Sequence, residues 1–235
     1  MQPMICRAIV NNGVLSFNSV TVGGITIAEQ IASDKVFGFL KPKNGIITYS
    51  ITNGDDEITE KQVLHAVRYA FMGWAFYVPI KFVHVIRDGM VRIKFKSEEE
   101  DLILNKNTLA YMYYPTGGIT DGIMVINKRF YWTNDGKAVN MHLIDPIHYP
   151  NPVTAPVQGM SWDLDKVIRH ELGHGIFGLS HSQNKYRIMS GGYEIMDEHI
   201  TPEDVVRAQA KAGKIEKPRL ERWLAWFRGA SNRNT

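Results

Sequence analysis

Hydrophobic positions along the chain change period several times, and each change marks an element. Near the start, Ile9-Val10 and Val14-Leu15 flank Asn12-Gly13, and Val20/Val22 and Ile25/Ile27 flank Gly23-Gly24. Paired apolar runs around such dipeptides predict hairpins, so residues 1–44 read as a small β-rich extension. Ile47, Tyr49 and Ile51 alternate along one face of a strand. Thr59-Glu60-Lys61-Gln62 is a capping box, and Val63, Val67, Ala70, Phe71 and Trp74 follow at helical spacing up to Pro79. Ile80 to Val85, Val91 to Lys96, Leu109 to Tyr113 and Ile123 to Ile126 return to strand character.

The second half is helical. A proline-rich stretch, 134–160, interrupts the pattern for more than twenty residues; excursions of this length in compact domains are usually functional or disordered. From Trp162 to Phe177 the apolar stripe Leu164, Val167, Ile168, Leu172 predicts a helix with Asp163 at its positive end. Thr201-Pro202-Glu203-Asp204 opens another, which stops at Gly213. Beyond Pro218, Leu220, Trp223, Leu224 and Phe227 predict a last amphipathic helix.

Composition narrows the function classes. The chain has 235 residues, enough for one sizeable core, and no apolar run long enough to span a membrane. Of the net charge of +3, the segment 211–235 carries seven basic and two acidic residues, leaving the remainder near −2. A nucleic-acid protein would carry its positive charge on the folded face, so no nucleic-acid partner is expected. The basic 214–235 tail has three readings: docking onto the body, which is the simplest, binding a partner, or lying on an anionic membrane surface. A monomer is expected. One cysteine excludes an internal disulfide framework and a Cys-rich zinc site, and Cys6 reads as a small buried hydrophobe. The N-terminus lacks the basic and apolar regions of a signal peptide, which points to cytoplasmic synthesis, with export by another route or packaging in a particle left open.

The chemistry concentrates in His170-Glu171-Leu172-Gly173-His174. Histidines four apart lie one turn apart on a helix, so both imidazoles can reach one zinc ion. The intervening glutamate can take a proton from water and return it to a leaving amine. Gly178 can turn the chain so that His181 reaches the same ion, and Met189 stands eight residues later. His65, His84, His142, His148 and His199 read as packing or loop histidines.

With these residues in place the chain resembles the matrixin-type metzincins, zinc endopeptidases whose signature is two helix histidines, a glutamate, a turn glycine, a third histidine and a methionine turn. Residues 46–51, the helix from Thr59 to Trp74 with Val78-Pro79-Ile80-Lys81-Phe82 behind it, Val91-Arg92-Ile93-Lys94-Phe95, Leu109-Ala110 with Pro115-Thr116-Gly117-Gly118, and Ile200-Thr201-Pro202-Glu203 extend the resemblance over about 45–213. It implies an α+β fold: a twisted, mostly parallel five-stranded sheet with an antiparallel edge strand, an active-site helix and a C-terminal helix. It implies one zinc held by His170, His174 and His181, Glu171 as general base and then acid, and Met189 as the floor beneath the ion. Tyr193 would wall a substrate pocket, and Leu109 and Ala110 would pair with an extended peptide by strand addition.

Two departures qualify the resemblance. The turn glycine stands four residues after His174 instead of three, which puts Ser180 at the regular third-ligand position and His181 one beyond. One extra helical residue rotates the next part of the chain by about 100°, and a π-bulge or looser turn would have to absorb it. Glu194, twenty residues after His174, is the competing third ligand. Secondly, the stretches where the family holds accessory ions read Tyr111-Met112-Tyr113-Tyr114 and Ile126-Asn127-Lys128-Arg129. Lysine and arginine cannot ligate a cation, so calcium is not expected. A binding or structural protein on an inactive scaffold, and a zinc hydrolase of small molecules, are the alternatives to a peptidase.

Overall fold

The computed structural model describes residues 5–11, 14–17, 34–55, 58–105, 108–133, 161–182, 187–190 and 200–215. The Gly23-Gly24 turn, the 134–160 stretch, Tyr193, Glu194, His142, His148, His199 and the tail helix lie outside the described residues.

The strands are β1 (Ile5–Asn11), β2 (Val14–Phe17), β3 (Ile46–Ile51), β4 (Lys81–His84), β5 (Val91–Lys96), β6 (Thr108–Tyr113), β7 (Ile123–Asn127), β8 (Tyr131–Thr133) and β9 (Ser161–Asp163). The helices are α1 (Glu60–Ala75), α2 (Leu164–Phe177) and α3 (Pro202–Ala212). The expected mixed sheet is present in the order β4-β3-β5-β7-β6, parallel except for the antiparallel β6/β7 pair. The hairpin β1/β2, which closes with Asn11 opposite Val14, adds to the outer side of β6 and extends the sheet to seven strands. β6 is therefore an inner strand, with five of its six residues buried. Short strands β8 and β9 form a separate parallel pair that leads into α2.

One large apolar core joins the sheet to the helices. Val91, Ile93 and Phe95 of β5 face it, as their alternation predicts, with Val63, Val67, Phe71 and Trp74 of α1 and Leu164, Ile168 and Leu172 of α2. A smaller cluster, Leu104, Tyr111 and Val125, is separate from it. The α1 capping box forms as its sequence predicts: the Thr59 hydroxyl accepts from Gln62 N–H, and the Gln62 side chain accepts from Thr59 N–H. Trp74 donates its indole N–H to the Arg169 carbonyl at 2.9 Å, locking α1 to α2. α2 is buried along its whole length, charged residues included. Its Asp165 and Arg169 pair one turn apart, and the Asp163 carboxylate caps its first turn through Asp165 N–H and Lys166 N–H. Among the described residues no helix is long and apolar enough to cross a membrane.

Candidate metal centre

α2 presents His170 and His174 from one face, as their spacing requires. The backbone past Phe177 then decides where His181 goes. Gly178 adopts φ +61°, a left-handed conformation that glycine enters without penalty. Its N–H reaches the carbonyls of both Gly173 and His174, and Leu179 N–H reaches Gly173 O at 3.0 Å, six residues back. This last turn is wider than the four-residue span of an α-helix. The extra residue is taken up here, and His181 swings back over the helix. Ser180, at the family's regular ligand position, points elsewhere, to the carboxylate of Asp34.

The three imidazoles converge. Nε2 of His174 lies 2.9 Å from that of His170 and 3.1 Å from that of His181, and the His170–His181 separation is 3.3 Å. His170 directs Nδ1 at the Ile188 carbonyl (2.6 Å), and His174 directs Nδ1 at the Leu179 carbonyl (2.5 Å). A carbonyl only accepts, so both Nδ1 atoms carry the proton and both Nε2 atoms offer lone pairs inward. The Tyr114 hydroxyl lies 2.9 Å from His174 Nδ1 and donates to the same Leu179 carbonyl. Lone pairs facing one another at these distances repel unless a cation lies between them. Four ligands 2.0–2.1 Å from a zinc ion stand roughly 3.3 Å apart, close to the spacing found. Burial holds His170 down at a pKa of about 4 and His174 and His181 well below the usual histidine value, so all three stay neutral near pH 7, the state a metal requires. The donor set fits zinc.

Glu171 is fully buried beside this cluster, and no side chain among the described residues hydrogen-bonds to its carboxylate. Burial pushes its pKa well above the ordinary carboxylate value; the Met112 backbone on β6 opposes the shift.

Met189 is completely buried. A Cβ on Gly173 would collide with its sulfur, so glycine inside the histidine motif is what lets the methionine turn close beneath the helix. The turn is held by Ser182 N–H donating to Met189 O (2.6 Å) and by the His170–Ile188 bond. Leu109 and Ala110 are buried in β6. On the β7 side Ala110 pairs with Ile126. On the other side the β1 register slips between Arg7 (opposite Tyr111) and Ile9 (opposite Thr108), so the ladder is broken at Leu109 and Ala110. The sequence does not foresee that β1 lies on this edge. His65 and His84 stand outside the histidine group.

Where the family holds accessory ions, Tyr111 donates its hydroxyl to Asp101 (2.8 Å), and the Lys96 ammonium pairs with the same carboxylate (3.1 Å). Asp101 thereby anchors β6. Asp121 accepts the N–H groups of Thr116 and Gly117 and shapes the β6–β7 turn. Sequence reasoning also missed Tyr114, Asp34 and Arg207. Tyr114 had a faint signal as the residue leaving the edge strand; the other two had none.

Comparison with known protein families gives a match to the matrixin peptidases over residues 41–210. The matched span contains all three histidines, Glu171 and Met189.

Proposed function

Starting from the fact that this chain belongs to the matrixin family of metallopeptidases, we propose that it is a zinc-dependent endopeptidase. In this reading His170, His174 and His181 hold a single ion and Glu171 is the general base and acid. The observation that carries it is the convergence of three buried Nε2 lone pairs, 2.9–3.3 Å apart, beside a fully buried carboxylate. When bound, zinc supplies Lewis acidity that makes water a nucleophile near neutral pH and offsets negative charge on the carbonyl oxygen.

The chain's own residues do the rest. The Ile188 and Leu179 carbonyls fix the tautomers of His170 and His174. Glu171 accepts the proton of the attacking water on a carboxylate oxygen, keeps it in a site where burial favours the neutral acid, and delivers it to the departing amine nitrogen. Met189 fills the space under the motif and keeps water out from below. Tyr193, outside the described residues, is assigned to the substrate pocket on the family resemblance alone. The substrate is an extended polypeptide that pairs with β6 through Leu109 and Ala110. Because β1 lies on that side of β6, the hairpin must yield before an extended chain can add there.

The alternative reading is a binding or structural protein on the same scaffold with catalysis lost. The two separate in one experiment: cleavage of a mixed peptide library by the zinc-loaded chain, compared with Glu171→Ala at equal measured zinc content. Loss of the base should reduce cleavage by about 10²–10⁴-fold with zinc retained. Equal cleavage by both proteins would remove Glu171 from the chemistry. No cleavage by a wild type that holds its zinc would leave the scaffold reading.

A further inference from the structure

The carboxylate of Asp34 is almost wholly buried, 1% exposed, although it precedes the matched region and lies far from α2 in sequence. Four donors converge on it. Ser180 gives its backbone N–H and its hydroxyl, both at 2.7 Å, and Arg207 of α3 gives Nε at 2.7 Å and Nη2 at 2.8 Å. Arg207, equally buried, also donates to the Ser180 carbonyl at 2.6 Å. Ser180 is thus held at its N–H, its hydroxyl and its carbonyl, and the next residue is His181. The same segment is fastened to the site's surroundings. Lys211 donates to the Asp34 and Phe37 carbonyls, Phe37 stacks on Tyr114 at 4.0 Å, and Leu40 N–H donates to Ile176 O.

A buried ion pair is poor evidence for stability, because desolvation consumes much of its attraction. Its geometry is better evidence for specifying one arrangement. Here the arrangement specified is the turn just past the widened end of α2, the place where the extra residue makes the direction of the third imidazole least determined by helix geometry alone.

We propose that Asp34 and Arg207 are positioning residues for His181. They act through Ser180, so the segment around residue 34 is a working part of the metal centre. The inference rests on the three-histidine reading above. It distinguishes the third histidine from the first two, which α2 itself positions.

The test is a cobalt(II) titration of the full chain, which reads affinity and the visible absorption band of the ion without requiring turnover. Wild type, Asp34→Asn, His181→Ala and the double variant are compared, with circular dichroism to verify folding. Asparagine keeps the shape, but its amide N–H groups face donors. The expected result is a 10–100-fold loss of cobalt affinity in Asp34→Asn, the range typical when a group supporting a ligand is lost, with a weaker or shifted band. In the His181→Ala background the same substitution should change nothing further. Wild-type affinity and spectrum in Asp34→Asn would overturn the proposal, as would an undiminished effect in the His181→Ala background. If Asp34→Asn does not fold, Arg207→Lys, which keeps the charge and removes the fork, takes its place with the same outcomes. A wild type that binds neither cobalt nor zinc would instead overturn the metal reading on which this one stands.

Discussion

A neutral histidine buried in a fold has a pH signature of its own. His170 is held at a pKa of about 4, and His174 and His181 lie well below the ordinary value of 6.5. The unfolded chain therefore binds more protons than the folded one as pH falls through 6.5. The stability these residues contribute is complete above that value and is lost on descending toward pH 4. Glu171, whose pKa is raised, has the opposite slope: its share is present below the ordinary carboxylate value of 4.5 and declines as pH rises through its folded pKa. Three histidines outweigh one glutamate, so the thermal midpoint of the metal-free protein should fall between pH 7 and pH 4.5. A flat or rising midpoint over that range would mean that these imidazoles are not buried as described. At the same scale, Tyr114→Phe removes the hydroxyl beside His174 Nδ1 and leaves the Leu179 carbonyl as its only fixed partner among the described residues. Zinc affinity, measured by competition with a chelator, should weaken several-fold while the fold persists.

The end of α2 is where the chain departs from its family's spacing, and it is built around one glycine. At Gly178 a side chain would meet both the left-handed φ of +61° and the Gly38 carbonyl. Gly178→Ala should lower stability by about 1–2 kcal/mol from the backbone alone, and by more because of the clash, with metal affinity reduced in parallel. Chemical denaturation and zinc competition check the two effects separately; a neutral substitution would show that the turn is not held as found. Elements of this kind are legible in sequence when one local signal decides them. The Thr59 box and the Thr201-Pro202 start each became the helix expected. The stripe expected from Trp162 became a helix only from Leu164, because Trp162 and Asp163 pair with β8 as part of β9 and Asp163 serves as the cap. The widened turn was readable as a need, since the glycine came one residue late, but its hydrogen bonds were not.

At the scale of the whole molecule, the features hidden from the sequence were contacts between distant segments. That β1 would choose β6 depends on which edge is left unpaired once five strands have assembled, and no local period encodes that choice. Asp34 and Arg207 are 173 positions apart, and neither sits in a pattern that sets it apart from an ordinary surface charge. The covered edge leads to a prediction at this scale. Removing residues 1–17 takes away β1 and β2 and leaves Asp34 in place. If the hairpin competes with substrate for β6, kcat/KM for extended peptides should rise at least several-fold, mainly through KM. An unchanged KM would show that substrate does not add at that edge.

Everything proposed for catalysis depends on the third histidine reaching the metal despite the shifted spacing. The most direct measurement is tightly bound zinc per chain, by elemental analysis, in wild type and His181→Ala purified side by side after zinc has been offered. A three-histidine centre predicts about one equivalent in wild type and far less in the variant. One equivalent in both would remove His181 from the ligand set and turn attention to Glu194, and none in wild type would contradict the zinc centre itself.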